Sequence, residues 1–456
     1  MRTRDDLAQI VGQELGCGEI LLCALSSSAG LTRVARMRRG IFWFRNDLRL
    51  HDNRALVAAA AHCDELSLVF CHDHRLDQPT RWSTDDLMPQ RMGEHRRRHL
   101  RASLSDLQHR LQAKGQWLQE LHGDPVELLQ REAEATRAEC IYAERIDAPE
   151  EQAIVAALLA CGLKVELVWQ SSLLEPTDLP FDVAALPRVF TQFRHAVERA
   201  GVRPRGEVEL LDADFPPPIS ARPAELANDT SDLEPAGESA ALAHLETYFA
   251  STRPQVYKET RNGLLGHDYS TRLSPWLASG ALSPRRVFRR LQQHEHEQGA
   301  NESTYWIWFE LLWRDYFRFL HQCHGVRLYG ASGLSPRVTP QHDARAFARW
   351  CRGDTGDAFI DAGMRELAQS GELSNRMRQN VASFLLNDLG CDWRAGAAWF
   401  EAQLIDYDVY SNTGNWLYLA GKGTDPRGGR RFEPRKQAAT YDPDGRYRAR
   451  WLTDGR

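Results

Sequence analysis

The sequence predicts two folded units of different class. An α/β domain with a parallel sheet comes first, and a long linker joins it to an all-α C-terminal domain. Three observations predict this. Between residues 39 and 170, short apolar runs alternate with amphipathic stretches. Residues 171–235 are crowded with prolines, from Pro176 to Pro235. From residue 236 to 456, apolar residues recur at helical spacing, and nine of the thirteen Trp lie there. Residues 1–38 are an N-terminal extension, because the globular pattern begins near Arg39.

In chain order, the expected strands are Ile41–Phe44, Leu66–Phe70, Gln116–Leu121, Cys140–Tyr142 and Val165–Trp169. Helical patterns such as Leu100–Leu111 and Glu151–Leu159 separate them. Strands alternating with helices argue for a parallel sheet covered on both faces. The first strand runs into Arg45-Asn-Asp-Leu-Arg without a glycine fingerprint or a P-loop, so neither nucleotide motif applies. The linker holds one expected helix, Phe190–Ala200.

Composition narrows the class. The 456 residues carry a formal net charge of −5, which does not advertise a nucleic-acid partner. No run of ~18 apolar residues exists, so no membrane span is expected. Nine scattered cysteines without a C-x-x-C pair fit neither a disulfide framework nor a zinc site. They point to a reducing compartment, the cytoplasm. Ile20–Leu25 resembles a short export signal, but acidic residues stand where positive charge belongs, and Met37 is a second candidate start.

Four constellations carry chemistry. Ser270, Thr271 and Ser274 gather hydroxyls just before an apolar helix over Trp276–Leu282, which suits an anion such as pyrophosphate. The plainer reading is an ordinary helix start. Glu310, Trp313 and Arg314 share one face of an aromatic helix over Ser303–Phe317, where buried charges need partners. Pairing of Glu310 with Arg314 is the bland account. Asn375 and Arg378 are i, i+3 neighbours. Asp406 and Asp408 precede Asn412 and Trp416, with a spacing that fits no calcium loop. No metal is expected; the arginines of the third segment balance these carboxylates. Residues 417–456 add a basic run, with Arg427, Arg430, Arg431, Arg435 and Lys436 near Trp416 and Tyr418, which suits phosphate contact beside base stacking.

These segments, in order, resemble the photolyase and cryptochrome family. They are Phe44-Arg-Asn-Asp-Leu-Arg-Leu-His-Asp-Asn53, Ser270-Thr-Arg-Leu-Ser-Pro275, Glu310-Leu-Leu-Trp-Arg314, Asn375-Arg-Met-Arg378 and Asn412-Thr-Gly-Asn-Trp416. Tyr257–Gly266, Pro187–Arg194, Gln379–Leu385 and Leu404–Asp408 resemble its DASH-type cryptochrome branch. The likeness spans roughly residues 40–455. It implies an α/β antenna-type domain and a helical domain that holds FAD and binds DNA.

On the family pattern, Tyr257, Ser270, Thr271, Leu273 and Ser274 hold the FAD phosphates, and Arg314 joins the cofactor set. Arg378 and Asp406 form an ion pair along the flavin, with Asp408 nearby and Asn412 approaching N5. The implied reaction is blue-light repair of cyclobutane pyrimidine dimers in single-stranded DNA, a carbon–carbon lyase activity on a base taken out of the stack. The resemblance makes Glu310 the hydrogen-bond partner of the flipped bases, with Trp313 and Tyr418 stacking on them. Arg261, Asn375, Arg376 and Arg430 meet flanking phosphates or the pocket rim. A monomer with no membrane partner is implied. The other reading is a blue-light photoreceptor that binds FAD and repairs nothing.

The chain departs from the pattern in places. Trp416 and Trp393 match the inner electron relay, but Pro340 stands at the outer Trp position, leaving Trp399, Tyr410 and Trp350 as substitutes. The usual Thr-Gly-Tyr-Pro reads Thr355-Gly-Asp-Ala358, Met377 replaces a glycine, and Glu433 replaces an Asn. The implied antenna pigment is a folate, methenyltetrahydrofolate. Its expected acidic residue aligns with Ile146, with Glu144 close by.

Overall fold

Why β1 (Arg39–Phe44) forms the sheet centre is visible in its residues. Ile41 and Trp43 pack on one face of the sheet, Phe42 and Phe44 on the other, as a two-residue period requires. A computed structural model describes residues 37–453 except 85, 89, 220–232, 337–340 and 426. The N-terminal extension before Met37 and the Pro340 position lie outside the described residues. After β1 come α1 (Arg54–His62), β2 (Glu65–Asp73), α2 (Glu94–Gln112), β3 (Leu118–Gly123), α3 (Pro125–Thr136), β4 (Cys140–Glu144), α4 (Pro149–Ala160) and β5 (Val165–Val168). All pairings are parallel, in the order β3-β2-β1-β4-β5. Each expected strand is present, shifted at its ends by up to three residues, and the helix expected from Leu100 starts a turn and a half earlier, at Glu94.

The remainder is helical. α5 (Phe190–Arg199) is followed by α6 (Gly237–Phe249), α7 (Tyr257–Thr260), α8 (Ser274–Ser279), α9 (Pro284–Gln298) and α10 (Glu302–His324). Then come α11 (Ala344–Arg352), α12 (Ala358–Ser370), α13 (Asn375–Asn387), α14 (Trp393–Gln403), α15 (Val409–Leu419), α16 (Pro434–Tyr441) and α17 (Arg446–Thr453). α10 is the axis of this half. A capping box between Asn301 and Thr304 starts it, and Ile307, Trp308, Leu311, Leu312, Phe319 and Leu320 fill the core. Phe190, Phe193 and Val197 of α5 are buried in the same core. Among the described residues, no helix is long and apolar enough to cross a membrane.

The loop from Arg45 to Asn53 joins the halves. Asp52 binds Arg285 at 2.9 Å, with both side chains almost wholly buried, and Arg285 also reaches Glu175. Arg49 donates to the Gly280 carbonyl at 2.8 Å, and Glu238 accepts from the Leu50 amide at 2.7 Å. Gly280 has φ +70°, and a Cβ there would stand 1.8 Å from the Asn46 carbonyl oxygen. Only glycine allows that approach. Arg318 binds Glu144 at 2.9 Å, and Asp315 accepts from the amides of Leu173 and Leu174. Burial pushes the Glu144 carboxyl up to about 7 and that of Asp315 to about 6.

At the far end, the Tyr447 hydroxyl donates to Glu366, and burial pushes that carboxyl up to about 7. The folded protein therefore keeps the Glu366 proton to about pH 7, whereas an ordinary glutamate releases it near 4.5. Its stabilisation is complete below about 4.5 and disappears as pH rises to about 7. Wild type is expected to lose on the order of 3 kcal/mol over that window through this group. Glu366→Gln removes that component, as urea unfolding at several pH values would read. Arg285→Ala leaves Asp52 buried without its cation, and is expected to cost about 3–5 kcal/mol in the same assay.

Candidate functional site

A cavity of about 1260 Å³ opens among α2, α7, α8, α10, α13 and α15. Its lining includes Tyr257, Ser270, Thr271, Leu273, Ser274, Glu310, Trp313, Arg314, Asn375, Arg378, Asp406, Tyr418 and Arg261. Residues spread over more than 150 positions of sequence thus meet in one space. The hydroxyl loop before α8 is held in shape before any ligand arrives. Arg272 sits at φ +53°, a strained position for a non-glycine residue. Its guanidinium is fixed by Glu372 at 2.7 Å, the Gly266 carbonyl at 2.9 Å and the Tyr269 hydroxyl at 3.1 Å. The His244 ring N–H donates to the Thr271 carbonyl at 2.8 Å. Tyr257 is buried, which pushes its hydroxyl up to about 12 and keeps it neutral.

Arg378 donates to both oxygens of Asp406 at 2.8 and 2.9 Å and to the Leu373 carbonyl at 2.8 Å. Arg314 does not pair with Glu310, the bland account of their shared face. It donates to the carbonyls of Ser171 and Leu277, the latter at 2.9 Å. Glu310 pairs instead with Arg261, which the resemblance assigned to DNA. Trp313 stacks on Phe190 with centroids 3.8 Å apart and meets Tyr418 edge-on at 5.7 Å. Two perpendicular aromatic walls therefore stand beside a carboxylate. Arg430 lies over the Tyr418 ring at 5.1 Å and binds Asp425 at 3.3 Å.

Several expected site residues lie outside this lining. Asp408 caps α15 by accepting from the Ser411 amide at 2.7 Å. Arg376 binds Asn262 at 2.8 Å and lies over the Tyr441 ring. Asn412 donates to the Ala397 carbonyl at 3.0 Å and lines a second cavity of about 1080 Å³. That cavity lies at the carboxyl ends of β1 and β2 and reaches Trp393. Trp393 donates to the Ala331 carbonyl, and Trp416 meets Trp350 edge-on at 6.4 Å. None of the three substitutes for the outer relay position is at the surface: Trp350 is 0% exposed, Tyr410 1% and Trp399 6%.

The folate expectation also meets an obstacle. Glu144 is bound to Arg318 and is absent from the second cavity's lining, which presents Ile146 instead. The lining carboxylates Glu150 and Glu151 are engaged by Arg91 and Arg45. No group of acidic, His or Cys residues among the described residues suits a metal.

Sequence reasoning missed the contribution of α2. His95, Arg98 and His99 line the first cavity from the α/β side, and their i, i+3, i+4 spacing was the available signal. Burial holds His99 below the ordinary histidine range, so it is neutral. The His99 Nε2, Trp276 Nε1 and Arg272 Nε atoms are buried without a protein partner, although all three residues line the cavity. Buried polar groups are rarely left so. A large polar ligand with anionic groups accounts for them, for the hydroxyl loop and for the Arg378–Asp406 pair.

Comparisons with known proteins bear on the fold and the family. Residues 40–216 match the DNA photolyase family, and residues 306–456 match the FAD binding domain of DNA photolyase. The chain is 42% identical to Cryptochrome DASH of Xenopus laevis over 430 residues, covering 90% of this chain and 82% of that one. It is 40% identical to Cryptochrome DASH of Synechocystis sp. over 432 residues, covering 91% and 87%. Among solved structures, a Synechocystis cryptochrome superposes with a TM-score of 0.84 at 38% identity, covering 92% of this chain and 89% of that one. A class III photolyase from Agrobacterium tumefaciens gives 0.72 at 28% identity, covering 93% and 88%.

The Arg261–Glu310 pair is partly open to solvent, at 18% and 33% side-chain exposure. Glu310→Gln is expected to change the unfolding free energy by no more than about 1 kcal/mol. A loss several times larger in denaturant unfolding would make Glu310 a structural residue.

Proposed function

This chain belongs to the photolyase and cryptochrome family, and from that premise we propose that it repairs cyclobutane pyrimidine dimers in single-stranded DNA under blue light. The observation that carries the reading is the convergence of two residue sets on one cavity. One set suits FAD: the hydroxyls of Ser270, Thr271 and Ser274, and the Arg378–Asp406 pair. The other suits a flipped pair of pyrimidines: Glu310, Trp313 and Tyr418. Reduced FAD, when bound, supplies the light-driven electron that splits the dimer and takes it back.

The protein's own residues bind and orient. The carboxylate of Glu310 accepts from base N–H groups once Arg261 turns to a flanking phosphate. Trp313 and Tyr418 replace the stacking that the bases lose on leaving the strand. Unstacking costs a few kcal/mol and least in a single strand, which supports the single-stranded preference. Asn375 lines the cavity, and Arg430 beside Tyr418 brings positive charge to the same aromatic wall. No nucleophile or proton shuttle is required.

The deciding assay mixes reduced, FAD-loaded protein with dimer-containing oligothymidylate under blue light. Dimer loss is expected for wild type, and a rate roughly 10- to 100-fold lower for Glu310→Gln, which keeps one acceptor but no charge. No dimer loss with wild type would leave the photoreceptor reading in its place. Trp416→Phe is expected to nearly abolish photoreduction measured by flavin absorbance while FAD stays bound. Photoreduction in wild type is expected to be slow, since none of the three substitutes reaches solvent.

A further inference from the structure

From the cavity wall outward, α10 carries a strip of rings whose outer end, Trp306, the repair chemistry does not use. Trp306, Phe309, Glu310 and Trp313 stand at i, i+3, i+4 and i+7, on one helix face. Trp306 and Phe309 stack with centroids 4.5 Å apart at 25°. Phe190 meets Phe309 edge-on at 5.1 Å and stacks on Trp313 at 3.8 Å. An unbroken run of aromatic contacts thus leads from Tyr418 and Trp313 outward to Trp306.

Core packing alone does not account for the outer end. The neighbours Ile307 and Trp308 carry the burial, at 3% and 8% exposure, while Trp306 and Phe309 are only partly buried. The Trp306 indole N–H is buried without a protein partner. Cations cover the rings: Lys258 lies 5.3 Å and Arg261 5.5 Å from the Trp306 centroid, and Arg194 lies 5.5 Å from that of Phe309. The Lys258 ammonium also pairs with Glu302, whose side chain is 81% exposed.

We propose that this strip is a second nucleic-acid subsite that stacks unpaired bases flanking the one in the cavity. The proposal rests on the repair reading and extends it along the strand. Magnitudes decide which partner the rings keep. An exposed cation–π contact is worth about 0.5–1 kcal/mol, whereas a base stacked on an aromatic ring is worth about 1–3 kcal/mol. A base therefore displaces Lys258 from the Trp306 ring, and the freed cation meets the adjoining phosphate. Duplex DNA cannot use such a surface, because its bases already stack on one another.

The test compares binding of two undamaged thymidylate strands by fluorescence anisotropy, using the full FAD-loaded chain. One strand is a trinucleotide and the other has about 16 nucleotides. Trp306→Ala is expected to weaken binding of the long strand roughly 5- to 150-fold and leave the trinucleotide unchanged. Trp306→Phe keeps a ring and guards against misfolding; it is expected to retain most of the affinity. Lys258→Ala is expected to lower the salt dependence for the long strand only. Wild-type affinity of Trp306→Ala for the long strand would overturn the subsite and leave the repair reading standing. Failure of wild type to bind either strand would overturn both.

Discussion

The structure depends on taking charge out of water between its two halves. Asp47, Arg49, Asp52, Glu144, Arg285, Asp315 and Arg318 are all buried there. Each ion would cost several kcal/mol if left alone. Pairing makes the arrangement selective: Asp52 with Arg285 and Glu144 with Arg318 span the halves, so neither half satisfies its charges alone. An apolar interface of the same area tolerates sliding, whereas hydrogen-bonded charges accept one register. That register sets α2 against α6 and α14, and so places His95, Arg98 and His99 in the wall of the first cavity.

This constraint changes the meaning of a motif. Phe44–Asn53 carried the family resemblance, yet its polar residues line no part of the first cavity. Asn53 caps α1 by accepting from the Leu56 amide at 3.0 Å, Arg49 reaches Gly280, and Asp52 holds Arg285. The run is a clamp. Period-two alternation made the strands legible, since β1 puts Ile41 and Trp43 on one face and Phe42 and Phe44 on the other. Helical spacing did the same for α10. Partners of buried charges were not legible, because pairing spans up to 233 positions, as between Asp52 and Arg285. The same limit explains why Glu310 invited pairing with Arg314 four residues away, when its partner Arg261 is 49 residues distant. On α10, Arg314 finds two carbonyls instead.

Departures from the family pattern have local compensation. Met377, which stands in a glycine's place, is fully buried, and Gly363 makes the room: a Cβ there would lie 2.5 Å from the Met377 methyl group. Met377 thus fills the space that Gly363 leaves open across the α12–α13 contact. In Thr355-Gly-Asp-Ala358 the usual aromatic is replaced by Asp357, which caps α12 by accepting from the amides of Phe359 and Ile360. Asp361 binds the Thr355 hydroxyl and the amides of Thr355 and Gly356. The loop keeps its shape through backbone contacts where a ring is absent. Glu433 sits before α16 and pairs with Lys436 at 2.7 Å, which takes one cation of the basic run out of play. Arg430 with Asp425 and Arg431 with Asp388 are paired as well, so the local positive field near Tyr418 is smaller than the count of basic residues suggests.

The tryptophans divide by what their indole N–H groups do. Trp169, Trp350 and Trp393 each donate to a backbone carbonyl, as a buried indole ordinarily does. Trp276, Trp306, Trp399, Trp416 and Trp451 are buried at that nitrogen without a protein partner among the described residues. A phenylalanine in their place would leave no donor stranded, so retaining tryptophan there calls for something the smaller ring lacks. Their positions differ. Trp276 lines the first cavity, where a polar ligand can accept its proton. Trp306 ends the aromatic strip on α10, stacked on Phe309. Trp416 is packed so tightly that a Cβ on Gly396 would come within 2.2 Å of it. It stands on α15, about two turns from the Asp408 cap. An unsatisfied N–H therefore marks no single role: Trp276 lines the first cavity, whereas Trp416 lies in the core.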